Sequence, residues 1–133
     1  MSTKRVFISF DYDNDVKYRD FLVGQAKNPK SPIEIADWSL KEAFDTQWKT
    51  KCRERIRKTD LVIQLVGKKT YLAQGAVWEV ACAKEEGVPV FGVYIDKNDK
   101  GQIPSSLRGS PVIEWTWDGI AKKVNETADK FPR

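Results

Sequence analysis

The chain predicts an α/β domain whose parallel sheet is covered by helices on both faces, and three observations carry that prediction. Short β-branched apolar runs alternate with longer segments of helical spacing. One run, Leu61 to Val66, is apolar almost throughout and uncharged, as a strand covered on both sides requires. And 133 residues, 41% apolar and 32% charged, suffice for one core under a solvated surface, so residues 1–133 read as a single domain.

The elements follow in order. Val6-Phe7-Ile8-Ser9-Phe10 is the first strand. Asp11-Tyr12-Asp13-Asn14-Asp15 breaks it with turn and cap residues. A helix then runs from about Asp15 to Lys27, with Val16, Phe21 and Leu22 among its inward positions. Pro29 and Pro32 mark a loop, Ile33 to Ala36 is the second strand, and Asp37 to Ala43 is a polar connection. Phe44, Trp48, Cys52 and Ile56 recur every four residues and form one face of a second helix. Lys49, Lys51, Arg53, Arg55, Arg57 and Lys58 are placed on its wet side, either as a solvated face or as a surface for an acidic partner or a phosphate. After the central strand, Thr70 to Glu86 is largely helical and Gly87 supplies its stop. Val90 to Ile95 is the fourth strand and Asp96 to Gly101 a polar turn. Val112 to Trp115 is a short fifth strand and Asp118 to Phe131 the last helix. The five-stranded parallel sheet so described binds ligands at the carboxyl ends of its strands, after Phe10, Ala36, Val66 and Ile95.

Composition narrows the chemistry. Histidine is absent, which removes Ser-His-Asp and Cys-His catalysis and any histidine metal ligand. Cys52 and Cys82, thirty residues apart, make neither a zinc site nor a disulfide framework and read as reduced core residues; no metal is expected. A net charge of +4 is too small and too dispersed to point to nucleic acid. No apolar stretch approaches the ~18 residues of a membrane span. The N-terminus enters a strand-like segment without a signal-peptide core, which predicts a cytoplasmic protein.

Several motifs fail on inspection. Asp11, Asp13 and Asp15 occupy positions one, three and five of a calcium loop, but Val16 and Leu22 stand where glycine and glutamate are needed. They read instead as a helix cap and favourable charge at a helix N-terminus. No aspartate ends the third strand to accept a phosphoryl group. Gly67-Lys68-Lys69-Thr70 resembles the end of a P-loop, yet Val62 occupies the place of its first glycine.

Glu79 is the residue that survives. On a helix its neighbours three and four positions away are Gly75, Ala76, Cys82 and Ala83, all small. The carboxylate is expected to stand in a shallow depression, where it either faces a cleft or pairs with a basic residue. The spacing leaves a surface or ion-paired role and a functional one both open.

Five features in order carry a resemblance. They are Arg5 to Phe10 with its acidic-aromatic loop, a second strand ending near Asp37, Leu61 to Gly67 followed by Thr70, the pair Trp78-Glu79, and Gly87 to Val93. Together they resemble the TIR-like domains of bacteria and archaea, particularly those of Thoeris antiphage systems, over roughly residues 4 to 117. The resemblance implies a flavodoxin-like, three-layer TIR fold. It implies cleavage of the nicotinamide–ribose bond of NAD⁺, as substrate and with no cofactor, to ADP-ribose or a cyclic isomer that signals to a separate effector. The catalytic glutamate then maps onto Glu79. Phe10, Asp11 and Tyr12 map onto the loop that receives the nicotinamide half. Asp37, Trp38, Trp48, Lys68, Thr70 and Trp78 complete the substrate-binding set, and self-association into a composite site is implied too. One departure is Gly75, where the family carries an aromatic four residues before the glutamate. It keeps open the alternative of a non-catalytic TIR-like module acting through self-association.

The chemistry suits a chain without histidine. Expulsion of neutral nicotinamide from a pyridinium needs no proton donor, and the developing charge on the ribose is oxocarbenium-like. A fixed carboxylate stabilises that charge.

Overall fold

The computed structural model describes residues 3–39 and 45–130. Phe44 and most of the connection after Asp37 lie outside the described residues. Five strands, β1 (Lys4–Ser9), β2 (Ile33–Trp38), β3 (Leu61–Val66), β4 (Val90–Tyr94) and β5 (Val112–Glu114), form one sheet of order β2-β1-β3-β4-β5, and every pair is parallel. Four helices connect or follow them: α1 (Tyr12–Ala26), α2 (Thr46–Arg57), α3 (Gln74–Glu85) and α4 (Trp117–Lys130). Short 3-10 turns at Thr70–Leu72 and Ser105–Leu107 complete the order. The strand order reverses between β1 and β3, the place where such sheets bind ligands.

Strand alternation divides the core in two. Val6, Ile8, Phe10, Leu61, Ile63, Leu65, Phe91 and Val93 face one side, where Leu22 of α1 and Ile120 and Val124 of α4 meet them. Phe7, Val62, Val66 and Val90 face the other, against Trp48, Cys52 and Ile56 of α2 and Val80, Cys82 and Ala83 of α3. All six residues of β3 are buried, as its uninterrupted apolar run predicts. On the second face, however, Ser9 and Gln64 take two of the places that apolar side chains occupy elsewhere, and both are fully buried.

Most element ends lie within two residues of the expected ones, and three differences bear on the site. First, α1 starts at Tyr12 rather than near Asp15, because the Asp11 side chain caps it by accepting from Asp13 N at 3.2 Å. Asp15 has non-helical φ/ψ of −123° and 18° and kinks the first turn. Phe21, expected inside, is 60% exposed. It lies one residue, about 100° around the helix, from Leu22, which takes the core position. Second, β2 continues through Asp37 and Trp38, which pair with Phe7 and Ile8. Ala36 is the extra residue of a bulge that makes this continuation possible. Third, Thr70 to Glu86 is broken into a 3-10 turn and α3, with Ala73 in extended conformation between them. Gly87 then terminates the helix at φ 72°.

Candidate active site

The carboxyl ends of β1 and β2 converge on α3 around Glu79. Ser9 is the last residue of β1, Ser39 follows β2, and both aim their hydroxyls at one oxygen of this carboxylate. Ser9 Oγ donates to Glu79 Oε1 at 2.7 Å and Ser39 Oγ donates to the same atom at 2.5 Å. Gln64 stands behind them, its amide Nε2 donating to Ser9 Oγ at 3.2 Å and to the Ala76 carbonyl at 2.9 Å. Ser39 Oγ in turn accepts from the Phe10 amide at 3.1 Å. Among the described residues, the second oxygen, Oε2, accepts only from the Cys52 thiol, at a long 3.9 Å. Oε1 is thus held by two hydroxyls while Oε2 keeps its acceptor capacity.

The electrostatics follow from burial. Glu79 is 1% exposed. Burial pushes its carboxyl up to about 7, while the Ser39 and Ser9 hydroxyls and the Arg55 charge pull the other way. Burial, and then the Glu79 charge, likewise push the Cys52 thiol far up, so it stays protonated. The depression expected at Glu79 is corrected here. Ring atoms of Trp48, from α2, lie 3.6 and 3.7 Å from where a Cβ on Gly75 would be, and so occupy the room that Gly75 leaves. The partners of the carboxylate are two hydroxyls and, more distantly, the Cys52 thiol, and Arg55 acts on it through its field.

Arg55 has a different task. Its guanidinium grips Asp37 through Nε to Oδ2 at 2.5 Å and Nη2 to Oδ1, and Nη2 also donates to the Trp38 carbonyl at 2.6 Å. That clamp fixes the end of β2 immediately before Ser39. The basic side of α2 is solvated at Lys51, Arg57 and Lys58, as expected, but its three arginines are all paired within the fold. Arg53 pairs with Glu85 at 3.0 Å and with Glu86, and Arg57 pairs with Glu86. Acidic residues at the end of α3 neutralise this side from within the fold.

The residues expected around the substrate separate into two groups. Asp37, Trp48 and Trp78 assemble on the Glu79 side of the sheet, whereas the Trp38 ring, expected with them, packs against the core on the opposite face: Trp48 and Trp78 meet edge-on at 5.3 Å, and the Arg53 guanidinium lies 5.6 Å from the Trp78 ring. Phe10 is buried and stacks on Tyr12 at 5.7 Å, while the Arg19 guanidinium spans the Phe10 and Trp38 rings at 5.7 and 5.0 Å. Asp11 caps α1 and also accepts from Asn14 Nδ2 at 2.6 Å. Lys68 is not brought to Glu79. It pairs with Asp99 at 2.7 Å in a crevice beside α1. Thr70 is fully buried, and its hydroxyl accepts from Gly67 N at 2.8 Å and donates to the Leu65 carbonyl, so it closes the turn after β3. Ser9, Ser39, Gln64, Cys52 and Arg55 are the members that the sequence reading did not place at the site. A signal for two of them existed: Ser9 and Gln64 are polar residues inside otherwise apolar strands, and a buried polar group needs a partner.

A TIR-like α/β domain, with a glutamate on the helix after the third strand, is the class that this fold and site define. The family described as Thoeris protein ThsB, TIR-like domain, matches residues 7–100, and the chain belongs to that family. Comparison with curated protein sequences finds no match. Among solved structures, a prokaryotic SEFIR domain is similar at TM-score 0.55 and 14% identity, over 98% of this chain and 100% of its own. The Clostridium botulinum CMP N-glycosidase BcmB is similar at TM-score 0.53 and 20% identity, over 92% and 98%. A 3-dehydroquinate dehydratase-like protein from Bifidobacterium longum is similar at TM-score 0.50 and 16% identity, over 97% of each chain. At these identities the likeness is one of fold.

Proposed function

We propose that the chain cleaves the nicotinamide–ribose bond of NAD⁺ and releases a nucleotide signal in antiphage defence. The observation that supports this reading most is the Glu79 carboxylate at the carboxyl end of the sheet, fixed through Oε1 by Ser9 and Ser39, with Oε2 facing only a long contact from the Cys52 thiol among the described residues. In the reaction, the C1′–N1 bond breaks and both electrons leave with nicotinamide, which becomes neutral. Positive charge develops on the ribose, and ionised Glu79 stabilises it. Water then gives ADP-ribose and a proton, or an adenine nitrogen closes a cyclic isomer. The two serines keep the carboxylate from rotating, so its charge is oriented before the bond breaks. Because burial raises Glu79 to about 7, the rate should rise with pH as this group ionises.

The test is nicotinamide release from NAD⁺ by the purified protein, with Glu79→Gln run in parallel and products resolved by mass spectrometry. Loss of release by about 10²–10³ in the variant supports the reading. Equal release from both proteins removes Glu79 from the chemistry. With no release from either, also in extract of infected cells, a non-catalytic module acting by self-association is the better account. CMP assayed beside NAD⁺ reports whether the substrate is another N-glycoside.

A further inference from the structure

A crevice lies across the sheet from Glu79, beside α1, at the carboxyl ends of β1, β3 and β4. It encloses about 260 Å³ and is lined by Asp15, Lys17, Tyr18, Lys68, Lys69 and Asp96, among others. This is the point where strand order reverses between β1 and β3. Asp15 is its unusual member. The residue is 6% exposed, and no hydrogen bond reaches its carboxylate from any described residue; Oδ2 in particular is buried without a partner. A buried carboxylate without a donor is a costly arrangement that a chain rarely keeps by accident. The surroundings are shaped to admit it. A Cβ on Gly67 would come within 2.4 Å of Asp15 Oδ2, so only glycine leaves that oxygen its place.

The other charges in the crevice are mostly committed. Lys68 is paired with Asp99 at 2.7 Å, and Asp96 Oδ1 accepts from Asn98 N at 2.9 Å. Lys69 is exposed and has no ion-pair partner among the described residues. No group of three or more acidic or cysteine side chains suited to a metal ion occurs among the described residues, so a cation is not the occupant that this set favours. Tyr18 and Ile95 continue the crevice into a shallower depression of about 410 Å³ walled by Phe21, Gln25 and Trp115. There Tyr18 meets Phe21 at 6.1 Å and Trp115 at 6.4 Å, and Phe21 leaves most of its ring in solvent.

An acceptor seeking hydroxyl donors, an uncommitted ammonium and an adjoining aromatic wall match the three parts of one ligand class. We propose that this crevice is a second ligand site, separate from Glu79, that takes a ribonucleoside phosphate. Asp15 receives ribose hydroxyls, Lys69 the phosphate, and the Tyr18–Trp115 wall the base. The site is one of binding alone. It does not depend on the proposed NAD⁺ cleavage, and each is tested by its own assay.

The experiment is a titration of the isotope-labelled full chain with adenosine 5′-monophosphate, followed by amide shifts, with adenosine and inorganic phosphate as separate probes. Saturable shifts at Asp15, Tyr18, Gly67 and Lys69 are expected, with both fragments weaker than the nucleotide. Lys69→Ala and Asp15→Asn should each weaken binding by about tenfold or more. Asp15→Asn keeps the side-chain shape while removing a buried charge, so the fold survives it. Absence of saturation overturns the proposal, and so do shifts centred on Ser9, Ser39 and Glu79. Inorganic phosphate binding as tightly as the nucleotide overturns it as well, because the crevice would then be a bare anion site.

Discussion

Replacing Glu79 by glutamine should change how stability depends on pH, whatever the protein's activity. Burial raises the folded-state value from 4.5 to about 7. Between those two pH values the folded protein holds a proton that the unfolded chain has released. Folding is therefore favoured by this group at low pH, and that advantage is lost as pH rises from about 4.5 to about 7. At ~1.4 kcal/mol for each unit, the change amounts to about 3 kcal/mol. Glutamine does not titrate and still accepts from Ser9 and Ser39 through its carbonyl oxygen. Asp15, raised to about 6 by burial and then by Asp11, is present in both proteins and cancels in the difference. The assay is urea unfolding of wild type and Glu79→Gln between pH 4.5 and 8, with slopes checked for equality. The stability of wild type relative to the variant should fall by about 3 kcal/mol across that range. A difference that stays constant would refute the raised value, and one that grows with pH would mean that a cation pairs with Glu79.

Further substitutions probe the same structure. Ser39→Ala removes a hydroxyl that favours the ionised carboxylate, so the pH profile of nicotinamide release should move to higher pH with lower rates at neutrality. Arg55→Ala leaves Asp37 half-buried without its clamp and should destabilise by about 1–3 kcal/mol in urea unfolding. Gly67→Ala drives a methyl into Asp15 and Ile95 and should cost about 1–3 kcal/mol in the same assay. Trp48→Ala empties the space beside Gly75 and should lower stability by about 3–5 kcal/mol, measured by thermal unfolding.

The sheet was legible in the sequence because its evidence is periodic. Leu61 to Val66 could only be an interior strand, and Trp48, Cys52 and Ile56 could only share a helix face. What failed was local. Phe21 is apolar yet sits beside the core position rather than on it, a difference of one residue that composition cannot resolve. The continuation of β2 through Trp38 rests on a bulge at Ala36, and alternation in one strand does not announce where its neighbour slips. At the candidate site Glu79 stood out through its small neighbours, but its partners did not. Ser9 and Ser39 are thirty residues apart and become neighbours only because β1 and β2 pair in parallel. Arg55 looked like one of six cations on a wet face, and only the fold sets it against Asp37. Lys68 and Glu79 both follow β3, but the sheet separates the two faces that their elements serve.

The two cysteines offer a practical consequence. Cys52 and Cys82 are the chain's whole complement of thiols, both are buried, and burial pushes both to higher pKa. A protonated thiol without solvent access reacts slowly with maleimides and iodoacetamides. The native protein is therefore already a silent background for site-directed labelling. Leu72, an exposed apolar residue in the turn before α3, is a suitable place for a single introduced cysteine. A fluorophore or spin label attached there would report distances between copies of the chain without removing either native sulfur from the core.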